Sequence, residues 1–577
     1  MAEITAPEYI SPYVVTVSGG LVLDRDVYTM PVGAATILQN FEPSVKGGYR
    51  RLSGTAKYDA NLLGGATDTV LGVAIFRDKV IAASSTIVQE SSGSGWSSID
   101  TGRTSAGRYR FEEYNFTTNE NRLIFADGAN FASFYNGTTV VDIKGSTTIS
   151  ATGSASSSST SLSVTSAAGI AEGMYIGGTN IGSGAKVSSV SGTTITMSVA
   201  TTGTISSASV TFAGLGTAPT NPSMVAAFKN HMFYAGMSAE PNTLIFSAIG
   251  DENDFTSGNG AGSLNVDSTI VAIKSFRESL MIFCEDRIYK LTGNALADFA
   301  IEPVSRNVGC SDAFSVQEIG GDILFLAPDG LRTVAGTARI GDVELGTVSK
   351  QIQDRINDIG FDNVSSVVIR GKSQYRLFYP TTGGLETSAK GLIGVLKSNP
   401  QGQLGWEYSD IRGLKPSCCV SGFVSGVETI IHGGFDGYVY KQESGNTFAG
   451  TAMTALYRSP DLTMGDAGIR KTMQRINVNY DPEGAVNVSL FVKYDFEDAA
   501  TPQPAAYTLT TADTAAVYGS SATLYGSAVY GAEGMPIVRQ SVEGSGFTVV
   551  IRLTDTSSNP PITLKGFELE FTPGARM

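Results

Sequence analysis

Apolar residues in this chain come in short runs that alternate with polar positions, and the runs are paired across turns. In "VLGVAIFRDKVIAASSTIVQES", residues 70–91, an apolar run, a polar turn and a second apolar run follow one another. The same plan returns in "YRFEEYNFTTNENRLIFADGANFASFYNG" (109–137), "MVAAFKNHMFYAGMSAEPNTLIFS" (224–247) and "IVAIKSFRESLMIFCEDRIYKLTG" (270–293). It returns again in "FSVQEIGGDILFLAPDGLRTVAG" (314–336), "SSVVIRGKSQYRLFYPTTGG" (365–384) and "CCVSGFVSGVETIIHGGFDGYVYKQ" (418–442). Period two predicts half-buried strands, and a tight polar turn between two such runs predicts a hairpin. Three of the turns carry Asp-Gly, at Asp127-Gly128, Asp329-Gly330 and Asp436-Gly437. That pair is expected to take positive φ at both turn residues. Aromatic residues recur after the turns: Phe131, Phe134, Tyr289, Tyr438 and Tyr440.

Repeats of roughly 45 residues match a β-propeller blade. A lone blade-sized sheet leaves two apolar faces in water, whereas stacking around a circle buries both. The expected fold class is all-β: a β-propeller of six or seven blades, with a small inserted β domain and a C-terminal β-sandwich. The competing arrangement is a set of unrelated hairpins in sandwiches.

Residues 1–65 break the pattern with Gly and Pro and are expected to form an extended arm with at most one short helical turn. The propeller is expected over 66–145 and 213–447. Residues 146–212 interrupt it. They are rich in Ser, Thr and Gly, and hold two charged residues, Glu172 and Lys186. Their composition alone suits a linker. Yet "SLSVTS" and "KVSSVSGTTITMSV" alternate cleanly, which predicts a compact inserted β domain with a Ser-Gly turn between its last two strands. One helix is predicted in "TVSKQIQDRINDIG" (347–360), with Ile352, Ile356 and Ile359 on one face, Ser349 as cap and Gly360 as stop. Residues 448–577 contain long alternating runs, "QRINVNYDPEGAVNVSLFVKYD" and "GFTVVIRLTDTSSNPPITLKGFELEFTP", which predict the sandwich. Between them Tyr518, Tyr525 and Tyr530 each precede a Gly and suggest an Ω-type loop with aromatic anchors, or a contact surface for a partner.

Composition agrees with a turn-rich β protein. Of 577 residues 67 are glycine and only 16% are charged, whereas long helices need more Glu, Lys and Leu. The net charge of −14 argues against tight DNA binding, which needs basic surface to displace counterions. Arg50-Arg51 is the one basic pair that stands out. The opening "MAEITAPEYISPY" lacks the features of a signal peptide, so no secretory leader is expected. No apolar run is long enough to span a membrane. The four cysteines, Cys284, Cys310, Cys418 and Cys419, lack metal-ligand spacing and are too few for a disulfide framework.

Catalytic constellations are sparse. His231 and His432 lie inside apolar strand patterns and read as packed core residues. "GDENDF" gathers Asp251, Glu252 and Asp254. Paired carboxylates could cleave a glycoside, but neighbours on one turn are expected to form a solvated Asx-rich turn or a helix cap. A Ca²⁺ site there lacks EF-hand spacing. "GNGAG" (258–262) neither follows a strand nor opens a helix. Sugar sites favour exposed aromatic platforms, and the chain has only two tryptophans, Trp96 and Trp406. The expectation is no enzyme, with no catalytic, cofactor-binding or metal residues and no cofactor.

Four segments together resemble one family, the tail hub or nozzle proteins of short-tailed bacteriophages (tail tubular protein B-like, packaged-DNA stabilisation protein-like). They are "GGLVLDRDVYTMPVGAATILQNFEPSVKGGYRRLSG" (19–54), "STIVAIKSFRESLMIFCEDRIYKLTG" with "NVGCSDAFSVQEIGGDILFLAPDGLRTV" (268–334), "VSKQIQDRIND" (348–358) and "PPITLKGFELEF" (560–571). The motifs are weakly specific singly, and their order carries the resemblance. The insertion is not part of the common pattern. The resemblance implies a virion structural protein of the phage tail, made in the host cytoplasm and assembling as a homo-oligomeric, hexameric ring below portal and adaptor. It would extend the DNA channel, touch double-stranded DNA transiently and non-specifically, retain and then eject the genome, and dock fibres or spikes. The alternative is a carbohydrate-binding or carbohydrate-cleaving receptor-binding tail protein.

Overall fold

The structure is a computed structural model. It describes residues 11–576 apart from 106, 117–119, 145–148, 171, 215, 336–346, 362, 399–403 and 512–536. The Tyr-Gly segment with Tyr518, Tyr525 and Tyr530 lies outside the described residues. Strands dominate, and every sheet is antiparallel except for one short parallel pairing, Gln39 against Asp410, and isolated bridges.

Each of the seven repeated segments forms its own small unit of sheet. The first four span residues 70–101, 110–142, 224–265 and 270–305, with four strands each. The fifth has three strands, over 317–333. The sixth is Ser365–Ile369, Gln374–Pro380, Ala389–Ser398 and Leu404–Ile411. The seventh joins Cys418–Val424, Val427–Gly433 and Val439–Gln442 to Thr55–Lys57 from the N-terminal arm.

These sheets pack face to face in sequence order, and the series returns to its start. Phe76 and Ala83 of the first meet Leu123 and Phe125 of the second. Ile124 and Phe134 of the second meet Val225 and Tyr234 of the third. Phe233 and Phe246 of the third meet Ile282 and Leu291 of the fourth. The ring of Phe283 of the fourth lies tilted against that of Phe325 of the fifth, 5.2 Å between centres. Tyr375 of the sixth donates to the carbonyl of Ser315, which leads into the fifth. Val367 and Ile369 of the sixth meet Ile430 of the seventh. Ile431 and Val439 of the seventh meet Val70 and Val80 of the first. Each sheet thereby buries both faces, where alone it would leave both in water.

The tight turns differ from expectation. The two-residue turns with positive φ at both positions are Arg77-Asp78, Lys229-Asn230, Gly320-Gly321 and Ser425-Gly426, which join the first and second strands of their sheets. The Asp-Gly pairs lie one connection later. There Asp127 accepts from the amides of Ala129 and Asn130, and Asp436 accepts from Tyr440 Oη. At Asp329-Gly330 the turn residues are Pro328 and Asp329, and Gly330 opens the next strand. A short carboxylate that folds back on local donors fixes these turns without a left-handed residue at both positions.

The predicted helix is also shorter than the pattern suggested. A 3₁₀ turn, Lys350–Ile352, leads into one five-residue α-helix, Gln353–Asn357. Ile352, Ile356 and Ile359 are buried, as their spacing required. Ser349 does not cap the helix, because its hydroxyl accepts from the amide of Leu331, and Ile352 leaves helical φ at −124°.

The inserted segment forms a six-stranded sheet in the order Tyr175–Gly177, Ile205–Ala213, Ile149–Ala155, Ser161–Val164, Thr194–Met197, Val187–Ser191. Its core, with Leu162, Ile195, Val210 and Phe212, is separate from all others. The turn between its last two strands in sequence order before Ile205 is Gly192-Thr193, one residue on from the expected Ser-Gly.

The N-terminal arm does more than pack along a surface. Ser11–Thr16, Phe41–Pro43 and Tyr49–Arg51 join a seven-stranded sheet built on Ile469–Pro482 and Ile562–Arg576. Ile37–Gln39 bridges the sixth small sheet to Ala455–Arg458, so one nine-stranded sheet runs across residues 447 and 448. The two large sheets share one core, with Phe41, Tyr457, Ile476, Leu553 and Leu569.

Candidate functional site

The first strands of the seven small sheets line a common chamber of about 760 Å³. Val73, Phe111, Val225, Ala272, Ser366 and Val420 are among its walls, together with Gln317. At one end lie the tight turns, with Arg77 and Asp78. Arg77 donates to the carbonyl of Asn121 (2.7 Å), and Asp78 accepts from the amide of Ser425 (2.5 Å). Lys274 lies 4.0 Å from Glu112, whose carboxyl burial pushes above the ordinary range.

At the other end two arginines reach across. The Arg108 guanidinium sits 3.6 Å from the centre of the Phe314 ring and donates from Nη1 to the carbonyl of Val364. The Arg110 guanidinium sits 4.0 Å from the centre of the same ring. Arg108 and Arg110 enter from the second sheet, whereas Phe314 and Val364 precede the fifth and sixth, about as far off in the packing order as sheets can be. Asp312 is the nearby carboxylate. It accepts from the amides of Phe314 (2.6 Å) and Val364 (3.2 Å) and, among the described residues, forms no ion pair within 4 Å. Burial pushes its carboxyl up, and burial lowers both guanidinium pKa values, that of Arg110 to about 10.

A second cleft, about 420 Å³, lies between the inserted sheet and the second and third small sheets. Here "GDENDF" departs from the solvated turn expected of it. Glu252, Asn253 and Asp254 are 4%, 5% and 2% exposed. Arg122 pairs with Glu252, with Glu120 (2.6 Å) and with Glu172 of the insertion (3.3 Å). Lys186 of the insertion lies 3.6 Å from Asp251. Both charged residues of residues 146–212 thus face the same acidic turn. Asp254 accepts from the amide of Thr256 and from Asn259 Nδ2, so it shapes the loop that contains "GNGAG". Burial raises the carboxyls of Glu252 and Glu172 despite Arg122.

The remaining candidates are structural in their surroundings. His231 Nδ1 lies 2.6 Å from the carbonyl of Ser247, among Phe233, Phe246 and Phe299. His432 stacks 5.1 Å from Tyr440, and burial lowers its pKa to about 3. Trp96 Nε1 donates to the carbonyl of Asn61, and Trp406 stacks on Tyr408. Cys284, Cys310, Cys418 and Cys419 are free thiols, and burial lifts the pKa of each above its ordinary value. Among the described residues no group of His, Cys, Asp and Glu has the placement to hold a metal ion, and no helix is long and apolar enough to cross a membrane.

The arm motifs meet at a third place. Arg51 is fully buried, 3.3 Å from Asp555, and donates to the carbonyls of Asn559 (2.6 Å) and Ser557 (2.5 Å). Gly54 passes so close to Thr447 that a Cβ would lie 2.2 Å from its carbonyl oxygen. Asn40 donates to the carbonyls of Thr454 (2.8 Å) and Arg412 (3.1 Å) and accepts from the amide of Arg412. Gln351, on the helix segment, donates to the carbonyls of Gly19 and Leu21. Glu42 and Glu443 together face Arg376 and Lys372.

No protein-family model matches the chain, and no curated protein matches it. Solved structures with partial likeness include the computationally designed Ika8 protein, at 13% identity and a TM-score of 0.32, covering 67% of this chain and 99% of that one. Sqt1 of Saccharomyces cerevisiae matches at 10% identity and 0.35, covering 67% and 98%. The extracellular domain of the hybrid two-component system BT3049 of B. thetaiotaomicron matches at 10% identity and 0.35, covering 78% and 47%. At such TM-scores none of these likenesses carries an argument about this chain.

Proposed function

We propose that the chain is a structural subunit of a short-tailed phage tail, a nozzle or hub protein whose small sheets form a seven-bladed β-propeller. The observation that carries this reading is convergence. Three of the four segments that carry the resemblance, with Gly19-Gly20-Leu21, Asn40-Phe41 and Arg50-Arg51, with Gln351, and with the strand Ile562–Arg576, meet around one junction, while the other, 268–334, forms the fourth and fifth small sheets. Scattered coincidences of sequence would have no reason to do so. The closed packing series and the arm strand Thr55–Lys57 that completes the seventh sheet support the propeller. Such a strand, contributed from far along the chain, covers the edge of Val439–Gln442 and ties the last sheet to the segment that precedes the first.

The chamber cannot itself conduct DNA. The major groove of a duplex is alone about 12 Å wide, while the whole chamber holds about 760 Å³ and is bridged by Arg108, Phe314 and Arg110. A conduit for the genome is therefore a space between copies, as in a ring of subunits related by rotation. Cryo-microscopy of purified particles tests the reading. Density for this chain in a ring around the tail axis is expected, and its absence from particles rejects the proposal.

One observation favours the carbohydrate alternative: the cleft below the inserted sheet combines Tyr114 and Phe116 with Glu252, Glu172 and Asp251. Glycan-array binding or release of reducing sugar by the purified chain would favour that reading over the nozzle.

A further inference from the structure

Arg110 is the chamber's unanswered charge. Its guanidinium has no hydrogen bond or ion pair among the described residues, and its Nη2 is buried without an acceptor. The guanidinium lies over the Phe314 ring. Arg108 adds to the imbalance, since its Nε and Nη2 also lack acceptors and only Nη1 is engaged. Asp312 already serves two backbone amides and reaches neither arginine within ion-pair distance. Two like charges on one aromatic ring therefore face a single, occupied carboxylate. An aromatic face offsets part of the cost of such a cation, but a guanidinium presents five donors in a fixed fork. Burying those donors unpaired is costly. The depression of Arg110 toward about 10 is the same imbalance expressed as easier proton loss.

Of the other cations that line the chamber, Arg370 is exposed to solvent, with only its backbone amide held by Glu428, and the remaining two have partners. Lys274 has Glu112, and Arg77 has the carbonyl of Asn121. Arg110 is also the arginine at that end that lines the open volume, beside Ser365 and Gln317. The volume lies within the range of small-molecule pockets.

We propose that this chamber binds a small oxyanion, a phosphate or carboxylate group, on the guanidinium of Arg110. The donors of Arg110 that remain open to the chamber can meet an oxygen of such a group, and Arg108 behind it adds attraction through the shared ring. The size of the chamber restricts the ligand to a small molecule or a single side-chain or terminal carboxylate. The inference stands independently of the virion reading, since it concerns one chain and its own chamber.

Titration calorimetry of the full chain at low ionic strength, with inorganic phosphate and with acetate as separate arms, tests it. Saturable binding of one anion per chain is expected, and the arm with the greater affinity identifies the oxyanion class. Arg110→Gln is expected to weaken binding about 10- to 100-fold, the range for a hydrogen bond to a charged group. Gln317→Glu, which adds a negative charge to the chamber wall at nearly constant size, should also weaken it, and decides the matter if Arg110→Gln does not fold. Absence of saturable binding in both arms overturns the proposal. So does undiminished binding in the folded variants, or an experimental map in which water alone meets Arg110.

Discussion

Two foreign segments meet the small sheets, and they are attached by different means. The N-terminal arm enters by backbone pairing, with strands in three sheets, and its charges are matched: Arg51 with Asp555, Glu42 and Glu443 with Arg376 and Lys372. The inserted sheet shares no strand with the rest and has its own core. It is docked through Glu172 and Lys186 onto a turn where Arg122 faces three carboxylates. Matched buried pairs make a joint that cannot be taken apart singly, because each lost partner leaves a charge stranded. The docked sheet relies on partly exposed pairs of modest worth.

The contrast breaks first at Arg51. Arg51→Met leaves Asp555 buried and two loop carbonyls, of Ser557 and Asn559, without this donor, and a loss of about 3–5 kcal/mol is expected. Equilibrium denaturation measures it, and a loss below about 1 kcal/mol would show the arm to be no more than docked.

Acid sharpens the comparison, because the two joints respond with opposite sign. Arg376 and Lys372 hold Glu443 well below the usual carboxylate range. Its contribution to stability is present above the unfolded pKa near 4.3 and is lost as pH falls toward about 2. Glu443→Gln should remove part of the acid sensitivity of the melting temperature in that window. Glu252 and Glu172 are shifted upward by burial. The folded state there binds protons more readily than the unfolded, so this joint gains stability as pH falls through their folded pKa values. Protection of the Ile149–Ala213 amides in hydrogen exchange, followed from neutral to mildly acidic pH, reads that sign.

Replacing residues 146–212 by a short Gly-Ser linker should leave the remaining sheets folded, with a small change in melting temperature, since no core residue is shared. Loss of the folded state would make the insertion integral. The smallest effect is expected from Lys186→Ala, under about 1 kcal/mol and diminished by salt.

Local pattern made much of this fold legible. All seven alternating segments are sheets, and the spacing of Ile352, Ile356 and Ile359 picked the buried face even where the helix is short. Alternation encodes which side of a strand is buried but not which strand lies beside it. For that reason the pairing of Leu38 with Tyr457, more than four hundred residues on, left no trace in the arm's irregular sequence. The burial of Glu252 was hidden likewise, because it depends on Arg122, on another sheet. Arg108 and Arg110 were passed over for a related reason. A charged residue at alternate positions reads as solvent-facing, and the inward face of these strands becomes an interior only when the seven sheets are packed together. A surplus of arginine at the start of one repeat was the only available sign.

The strand Thr55–Lys57 has a consequence in time. Its partner Val439–Gln442 lies nearly four hundred residues downstream. At ordinary rates of translation, about 5–20 residues per second, the arm waits about 20 to 80 seconds on the ribosome before its place exists. Once that place forms, an identical strand from a neighbouring nascent chain competes for it. Yield in the cell should therefore depend on expression rate, with exchanged dimers the product when synthesis is crowded.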